Sequence, residues 1–318
     1  MSLGGGGTDL PSYYRKRGGY LIACSINKYV YTSIIKPFSE GIFLKYSDIE
    51  KVKKANEIKH KIFREILSMR EEKEISQIEI TTLADIPAGT GLGSSGAFTV
   101  SVLKALQVYN SEYFSNKSIA ELACNIEIDR LNEPVGKQDQ YASAIGGLTE
   151  YKFNKDDSVD FERLPISEDN INKIEDSIVL FFTGYSRSAS SILATQNNKT
   201  KEEDNDMLKN LDQVKEMGQI SRELLIKGDI NQYGLLMNDH WERKLKRSPD
   251  MCPEKILKFY DIGLKNGAIG GKLVGAGGGG FLLFISNNKT QLRKSMSNLG
   301  LKELRFNIDN LGVNVLQS

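Results

Sequence analysis

The sequence predicts an α/β (α+β) protein built in two parts, and three observations carry that expectation. Short stretches rich in β-branched and aromatic residues alternate along the chain with longer stretches of helical periodicity. The 318 residues allow two domains of ordinary size or one large one. A polar, acidic, weakly periodic stretch at 154–176 separates two such alternating runs, so the expected boundary lies near residue 170, giving 1–170 and 171–318.

The opening MSLGGGGTDLPSYY is a short apolar start that runs directly into a glycine loop. Residues 20–36 and 41–46 are rich in β-branched and aromatic side chains and are expected to be strands. Over 50–70, Val52, Ile58, Ile62, Ile66 and Leu67 fall at helical spacing, which predicts an amphipathic helix with His60 on its solvated face. Residues 76–83, SQIEITTL, alternate apolar and polar as a half-buried strand does. After a turn at Asp85–Pro87 and a glycine run, a helix is expected from Ser94 to about Asn110. Further helices are expected over about 117–131 and, after the loop EPVGKQDQ, through Ala144. GGLTEYKF then returns to strand. Past the boundary, IVLFFTG (178–184) is a buried strand, and 188–228, 229–246 and 253–266 are helical. The closing GAIGGKLVGAGGGGFLLFIS has two strands framing a second glycine run.

Hydrophobic residues at 40% and charged residues at 26% are the balance of a soluble globular chain. Lysine plus arginine, 42, nearly cancels aspartate plus glutamate, 41. The net charge of +1 argues against whole-chain binding to nucleic acid or a membrane surface and leaves room for a local basic pocket. Three scattered cysteines and two isolated histidines set aside a zinc site or disulfide framework and fit a reducing cytoplasm. No apolar run reaches the roughly 20 residues that span a bilayer, and the start lacks a signal-peptide pattern. A soluble cytoplasmic protein is the expectation.

The run PAGTGLGSSGA, Pro87 to Ala97, follows a strand and opens a helix, which is a design for holding phosphate. Glycines let backbone approach an anion, and the free N–H groups and dipole of a helix start favour negative charge. Ser94 and Ser95 can cap that helix or offer hydroxyl oxygen to magnesium. No lysine follows the last glycine as in a P-loop, and the strand context of a dinucleotide fingerprint is missing. On its own the run divides evenly between a phosphate cradle and a tight capped turn.

The full stretch, of the form PxxxGLGSSGA, resembles the second motif of the GHMP kinases, the superfamily of galactokinase, homoserine kinase, mevalonate kinase and phosphomevalonate kinase. GGGGTDLPSYY is similar to their sugar-binding first motif, and KLVGAGGGGFLLF (272–284) to their third. The three motifs come in the family's order and span nearly the whole chain. Within the superfamily, GGGGTDLPSYY, VGKQDQYASAIGG, HWERKLKRSP and GAIGGKLVGAGGGGF are most similar to the D-glycero-D-manno-heptose 7-phosphate kinases, which phosphorylate the anomeric hydroxyl of a sugar phosphate.

The resemblance implies two α/β lobes with the active site between them. The N-terminal lobe would bind the nucleotide and be like the second domain of ribosomal protein S5; the C-terminal lobe would be ferredoxin-like. It implies that Pro87, Gly89, Gly91, Leu92, Gly93, Ser94, Ser95, Gly96 and Ala97 cradle ATP. Glu127 with Ser95 would hold Mg2+, and Asp139 would take or orient the proton of the attacking hydroxyl. Gly7, Thr8, Asp9, Gln138, Gly277 and Gly278 are expected at the sugar and its phosphates. Five glycines in the six residues Gly275 to Gly280 carry an entropic cost that favours a functional reason for them. A second phosphate needs a cation, with Arg187 as first candidate and Lys28, Arg243 and Lys244 as others. From the residues alone, Glu127 is a solvated helix position, Asp9 and Asp139 are cap or turn aspartates, and Trp241 packs in the core beside a satisfied His240.

Family members usually begin with a strand of the type TPLRxSxGGGGTD, and Met1 stands just after the place of that arginine. The strand and its arginine are therefore expected to be absent from this chain, making it less stable and slower than a longer counterpart. The leading expectation is an ATP-dependent kinase that converts heptose 7-phosphate to the 1,7-bisphosphate. The alternatives are a kinase of a free sugar such as fucose or galactose, and a non-catalytic sugar- or nucleotide-binding relative. The expected partners are ATP, Mg2+ and a small sugar phosphate, without nucleic acid or membrane, and a homodimer is left open.

Overall fold

The computed structural model describes residues 1–185 and 189–317. In chain order these begin with β1 (Ser2–Gly4), α1 (Pro11–Arg17), β2 (Gly19–Cys24), β3 (Val30–Ile35), β4 (Gly41–Lys45), β5 (Ile49–Val52), α2 (Lys61–Ser68) and α3 (Glu72–Ile75). Next come β6 (Gln77–Ala84), α4 (Ser94–Tyr109), α5 (Asn116–Cys124), α6 (Gln138–Ile145), β7 (Leu148–Phe153), β8 (Val159–Arg163), α7 (Glu168–Ser177) and β9 (Ile178–Phe182). The remainder is α8 (Ala189–Lys201), α9 (Asn205–Lys227), α10 (Ile230–Leu245), α11 (Glu254–Lys265), β10 (Ala268–Leu273), β11 (Phe281–Ser286), α12 (Lys289–Asn298) and β12 (Lys302–Leu304).

The strands make three sheets, ordered β1-β2-β7-β8, β3-β6-β4-β5 and β10-β11-β9-β12. The first sheet is the middle layer. One face, with Leu21, Ala23, Tyr151 and Phe153, packs on Val100, Leu103, Ile119 and Tyr141 of α4, α5 and α6. The other, with Leu3, Tyr20 and Ile22, packs on Leu225 of α9, Tyr233 of α10 and Ile178 and Leu180 of β9. Every residue of β2 is therefore buried, and its sequence is a continuous apolar run rather than an alternation. In β3, under α4 on one face only, burial alternates residue by residue. The stretch 20–36 thus splits into two strands of two different sheets.

The last sheet is antiparallel, and its order relative to the chain, fourth strand, first, third, second, is the ferredoxin-like arrangement expected for the second half. Phe181, Leu282 and Phe284 of this sheet pack on Ile256, Phe259 and Tyr260 of α11 and Leu292 and Met296 of α12.

Several elements differ from expectation. The opening residues are not only a loop: Ser2 pairs with Ala23 and Gly4 with Ile22, so the chain does begin with a short strand on the middle sheet. Residues 50–70 are not one helix. Val52 pairs with Ile42 across β4, so it belongs to a strand, and α2 begins only at Lys61. His60 is not solvated; its Nδ1 caps α2 by accepting from Phe63 N at 3.4 Å, and its ring packs on Tyr46, Phe63 and Phe98. The acidic stretch 154–176 holds β8, which pairs along β7, and most of α7. The helical stretch after 188 breaks where Asp204 caps α9 by accepting from Met207 N at 2.8 Å. Among the described residues, no helix is long and apolar enough to cross a membrane.

Candidate active site

A cleft of about 590 Å³ runs between the two glycine runs, and the start of α4 opens into it. The runs meet backbone to backbone: a Cβ on Gly275 would lie 2.4 Å from the Gly91 Cα, and both residues have left-handed φ, +78° and +83°. Only glycine fits that contact. Gly93, also left-handed, is the residue before α4 and gives the helix no side-chain cap. The first N–H groups of α4 are thus left without a side-chain cap at the cleft.

Ser95 and Thr99, one turn apart on α4, both face Glu127. The Ser95 hydroxyl donates to Glu127 Oε2 at 2.7 Å and the Thr99 hydroxyl to Oε1 at 2.9 Å, and Gln140 Nε2 donates to Oε1 at 3.1 Å. Glu127 is 3% exposed. It sits where α5 widens into π-helical winding over Asn125–Arg130, with Leu131 N bonded to Ile126 O. Burial pushes its carboxyl above the ordinary range, against the pull of those three hydrogen bonds. Among the described residues it has no cationic partner. A buried carboxylate beside a hydroxyl suits a hard cation that takes its other ligands from water and phosphate. No group of three or more acidic, histidine or cysteine side chains forms a metal cage among the described residues, and a magnesium site of this kind does not need one.

Asp139 is in the first turn of α6, against the glycines at the α4 start. A Cβ on Gly96 would lie 2.9 Å from the Asp139 carbonyl carbon, and one on Gly93 would lie 3.1 Å from the carboxylate. Gln138 Nε2 donates to Asp139 Oδ1 at 2.9 Å. The Gln138 backbone N–H donates to Asp9 Oδ2 at 3.1 Å, and Gly7 N donates to Asp9 Oδ1 at 3.2 Å. Asp9 is buried, and burial raises its pKa to about 6, with the charge of Asp139 adding to the rise. Ser95, Glu127, Asp139, Gln138 and Asp9 therefore line one continuous wall.

The opposite wall is basic. Lys244 Nζ donates to Leu273 O at 2.8 Å and also to Gly275 O. Arg247 Nε donates to Asn210 Oδ1 at 3.1 Å and Nη1 to Gly6 O at 3.0 Å. Lys272, at the end of β10, and His240, on α10, complete it.

Other expected site residues lie elsewhere. Thr8 is fully buried, and its hydroxyl is spent on Gly5 O and Tyr20 O, which locks the first loop to β2. Leu92 and Ala97 line a second cavity between β3 and α4, as does Lys28, and Gly93 and Asp139 border both cavities. Pro87 O accepts from the Thr90 hydroxyl and Gly278 N donates to Met251 O, so both brace loops and neither lines the cleft. Arg243 is held by Gln213 outside the cleft. Arg187 lies outside the described residues. His240 is not satisfied as expected: among the described residues its buried Nε2 has no partner.

Thr99, Arg247 and Lys272 were missed. Thr99 was legible, being four residues from Ser95 and so on the same helix face. Arg247 and Lys272 carry no local signal; only the packing of α10 against β10 brings them together.

The chain matches the family models "GHMP kinases N terminal domain" over residues 53–147 and "GHMP kinases C terminal" over 221–300. It is 30% identical over 296 residues to a D-glycero-alpha-D-manno-heptose 7-phosphate kinase of Campylobacter jejuni, covering 90% of this chain and 86% of that one. It is 28% identical to a galactokinase of Thermococcus kodakarensis over 66% of this chain and 65% of that one. Among solved structures it is similar to a D-glycero-D-manno-heptose 1-phosphate kinase of Bacteroides thetaiotaomicron, with TM-score 0.78 and 25% identity over 100% of this chain and 97% of that one.

Proposed function

As a member of the GHMP kinase family, this chain is an ATP-dependent sugar kinase, and we propose that it phosphorylates the anomeric hydroxyl of a heptose phosphate. The specific reaction would convert D-glycero-D-manno-heptose 7-phosphate and ATP to the 1,7-bisphosphate and ADP. The observation that carries this reading is the juxtaposition, at the start of α4, of Asp139 on one side and the Ser95–Glu127 pair on the other. The 30% identity to a heptose 7-phosphate kinase supports the choice of sugar.

In this mechanism the unpaired N–H groups at the α4 start, with Gly91 and Gly93, bind the ATP phosphates. The half-buried His60 ring with Ile62, Leu131 and Val135 offers an aromatic and apolar end of the cleft to the base. Ser95 and Glu127 would hold Mg2+, which when bound neutralises charge on the β- and γ-phosphate oxygens. Asp9 and Gln138 position the sugar. Asp139 accepts the proton of the anomeric hydroxyl as its oxygen bonds to the γ-phosphorus and the bond to the β-phosphate oxygen breaks. Positioning and electrostatics contribute most of the rate, which fits a site built on helix starts and buried carboxylates. A division near residue 170 into a nucleotide-binding lobe and a ferredoxin-like lobe, and a cytoplasmic setting, belong to the same proposal.

The test is coupled ADP release across a panel of hexoses and heptoses, each with and without a terminal phosphate. Turnover of heptose 7-phosphate well above the rest is the expected result. Activity confined to unphosphorylated sugars removes the heptose-phosphate reading.

A further inference from the structure

The basic wall of the cleft gathers four basic side chains, and the charge of Asp9 across the cleft partly offsets the lowering of the Arg247 pKa by burial. Arg247 is 5% exposed and Lys272 7%, and His240 is equally buried, while Lys244 is half-buried. Among the described residues none of the four forms an ion pair, and the buried His240 Nε2 has no hydrogen-bond partner. Burial drives the Lys272 pKa down to about 7, with Arg247 as the second cause, and drives His240 well below its ordinary value. Charged groups this buried normally sit beside a counter-ion.

We propose that Lys272, Arg247 and Lys244 form the subsite for the phosphate that the acceptor sugar already carries. The inference rests on the sugar-kinase reading above and adds to it the residues that set the preference for a phosphorylated substrate. Two points favour the acceptor over the nucleotide. Arg247 is anchored on Gly6 O, and Gln196 Nε2 on Gly7 O at 3.1 Å, so this wall is built on the loop that carries Asp9. The nucleotide phosphates belong at the α4 start, where the dipole and free N–H groups already serve them. A guanidinium with unspent N–H groups and two lysine amines, whose protonated forms burial disfavours until an anion is bound, also match a dianion with three oxygens better than they match a sugar hydroxyl. Bound phosphate supplies a counter-charge and returns Lys272 to its protonated form.

The test compares wild type with Lys272→Met and Arg247→Met by calorimetric titration of D-glycero-D-manno-heptose 7-phosphate, of the free heptose and of MgADP. Each variant is expected to bind the heptose 7-phosphate about 10- to 100-fold more weakly, the effect of losing one charge-assisted contact. MgADP affinity should stay within about threefold, and the preference for phosphorylated over free heptose should fall by the same 10- to 100-fold. Lys272→Arg should recover part of the loss. In wild type, inorganic phosphate should compete with the sugar phosphate and not with ATP, a measurement that needs no variant to fold. Weakened MgADP binding with unchanged heptose 7-phosphate binding overturns the assignment. A wild type that uses heptose 7-phosphate, with variants that keep the preference, overturns this inference and leaves the function standing. A wild type that uses only free sugars overturns both.

Discussion

Ser95 and Glu127 are 32 residues apart in sequence and joined by a 2.7 Å hydrogen bond at the mouth of α4. The bond spans two elements that meet only because α4 and α5 pack on the same face of the middle sheet. A carboxylate so buried, with its pKa raised and no cation beside it among the described residues, costs stability in the empty protein.

Glu127→Gln keeps the acceptor oxygen and removes the charge. It should raise the thermal midpoint by about 2 °C, relieving a buried charge, while weakening the apparent Mg2+ affinity in the kinase assay at least about tenfold. Titrating Mg2+ at fixed ATP, with a melting curve on the same sample, tests both halves. Unchanged Mg2+ dependence removes the metal role.

Asp139→Asn should lower kcat by about 10²- to 10⁴-fold, the usual contribution of a proton acceptor in place. MgATP affinity should change less than about threefold, because the phosphate contacts come from α4 and not from α6. Steady-state kinetics and calorimetry separate the two. Turnover near that of wild type would exclude Asp139 as the base.

Asp9 gives a pH signature. Its folded-state pKa of about 6 lies above the ordinary 3.8, so folding favours the protonated form. The stability this gives is fully present below the unfolded pKa and is lost as pH rises through about 6. Sugar hydroxyls need the carboxylate, so binding should run the other way, with acceptor KM rising as pH falls through about 6 and kcat moving less. Acceptor KM from about pH 5 to 8, with Asp9→Asn as the reference that loses the inflection, is the measurement. An inflection that persists in Asp9→Asn belongs to another group.

Much of this site was legible because its chemistry is local. The glycine run, Ser95 and the order of the three motifs need only the chain's own spacing, since a strand, a glycine turn and a helix start are neighbours in sequence. The basic wall was not legible. Of its four members only Lys244 was singled out as a cation, since Arg247 and Lys272 are common residues until α10 lies across β10. Thr8 failed for the opposite reason. A hydroxyl next to a site aspartate reads as a ligand, but here it is consumed by Gly5 O and Tyr20 O. In the fold, the apolar spacing at Val52 and Ile58 misled because a strand edge followed by a turn into the core imitates a helical stripe over so short a stretch.

The crossing of α4 over α6 sets the distance between the phosphate cradle and Asp139, and Gly96 is the spacer. A methyl group there would lie 2.9 Å from both the Asp139 carbonyl carbon and the Gln140 nitrogen, which are backbone atoms with no rotamer to yield. Gly96→Ala should therefore push α6 outward, costing about 1–3 kcal/mol of stability by overpacking. It should also lower kcat, because Asp139 moves with α6 and small displacements of a reacting group are costly. Gly300→Ala is the control. Its φ of +81° carries the left-handed strain, but a Cβ there meets nothing within 4 Å. That variant should lose about 1–2 kcal/mol and no kcat. Urea unfolding with initial rates on both proteins decides it. A Gly96→Ala enzyme with full kcat would mean that the cradle and the base are not held in register by this contact.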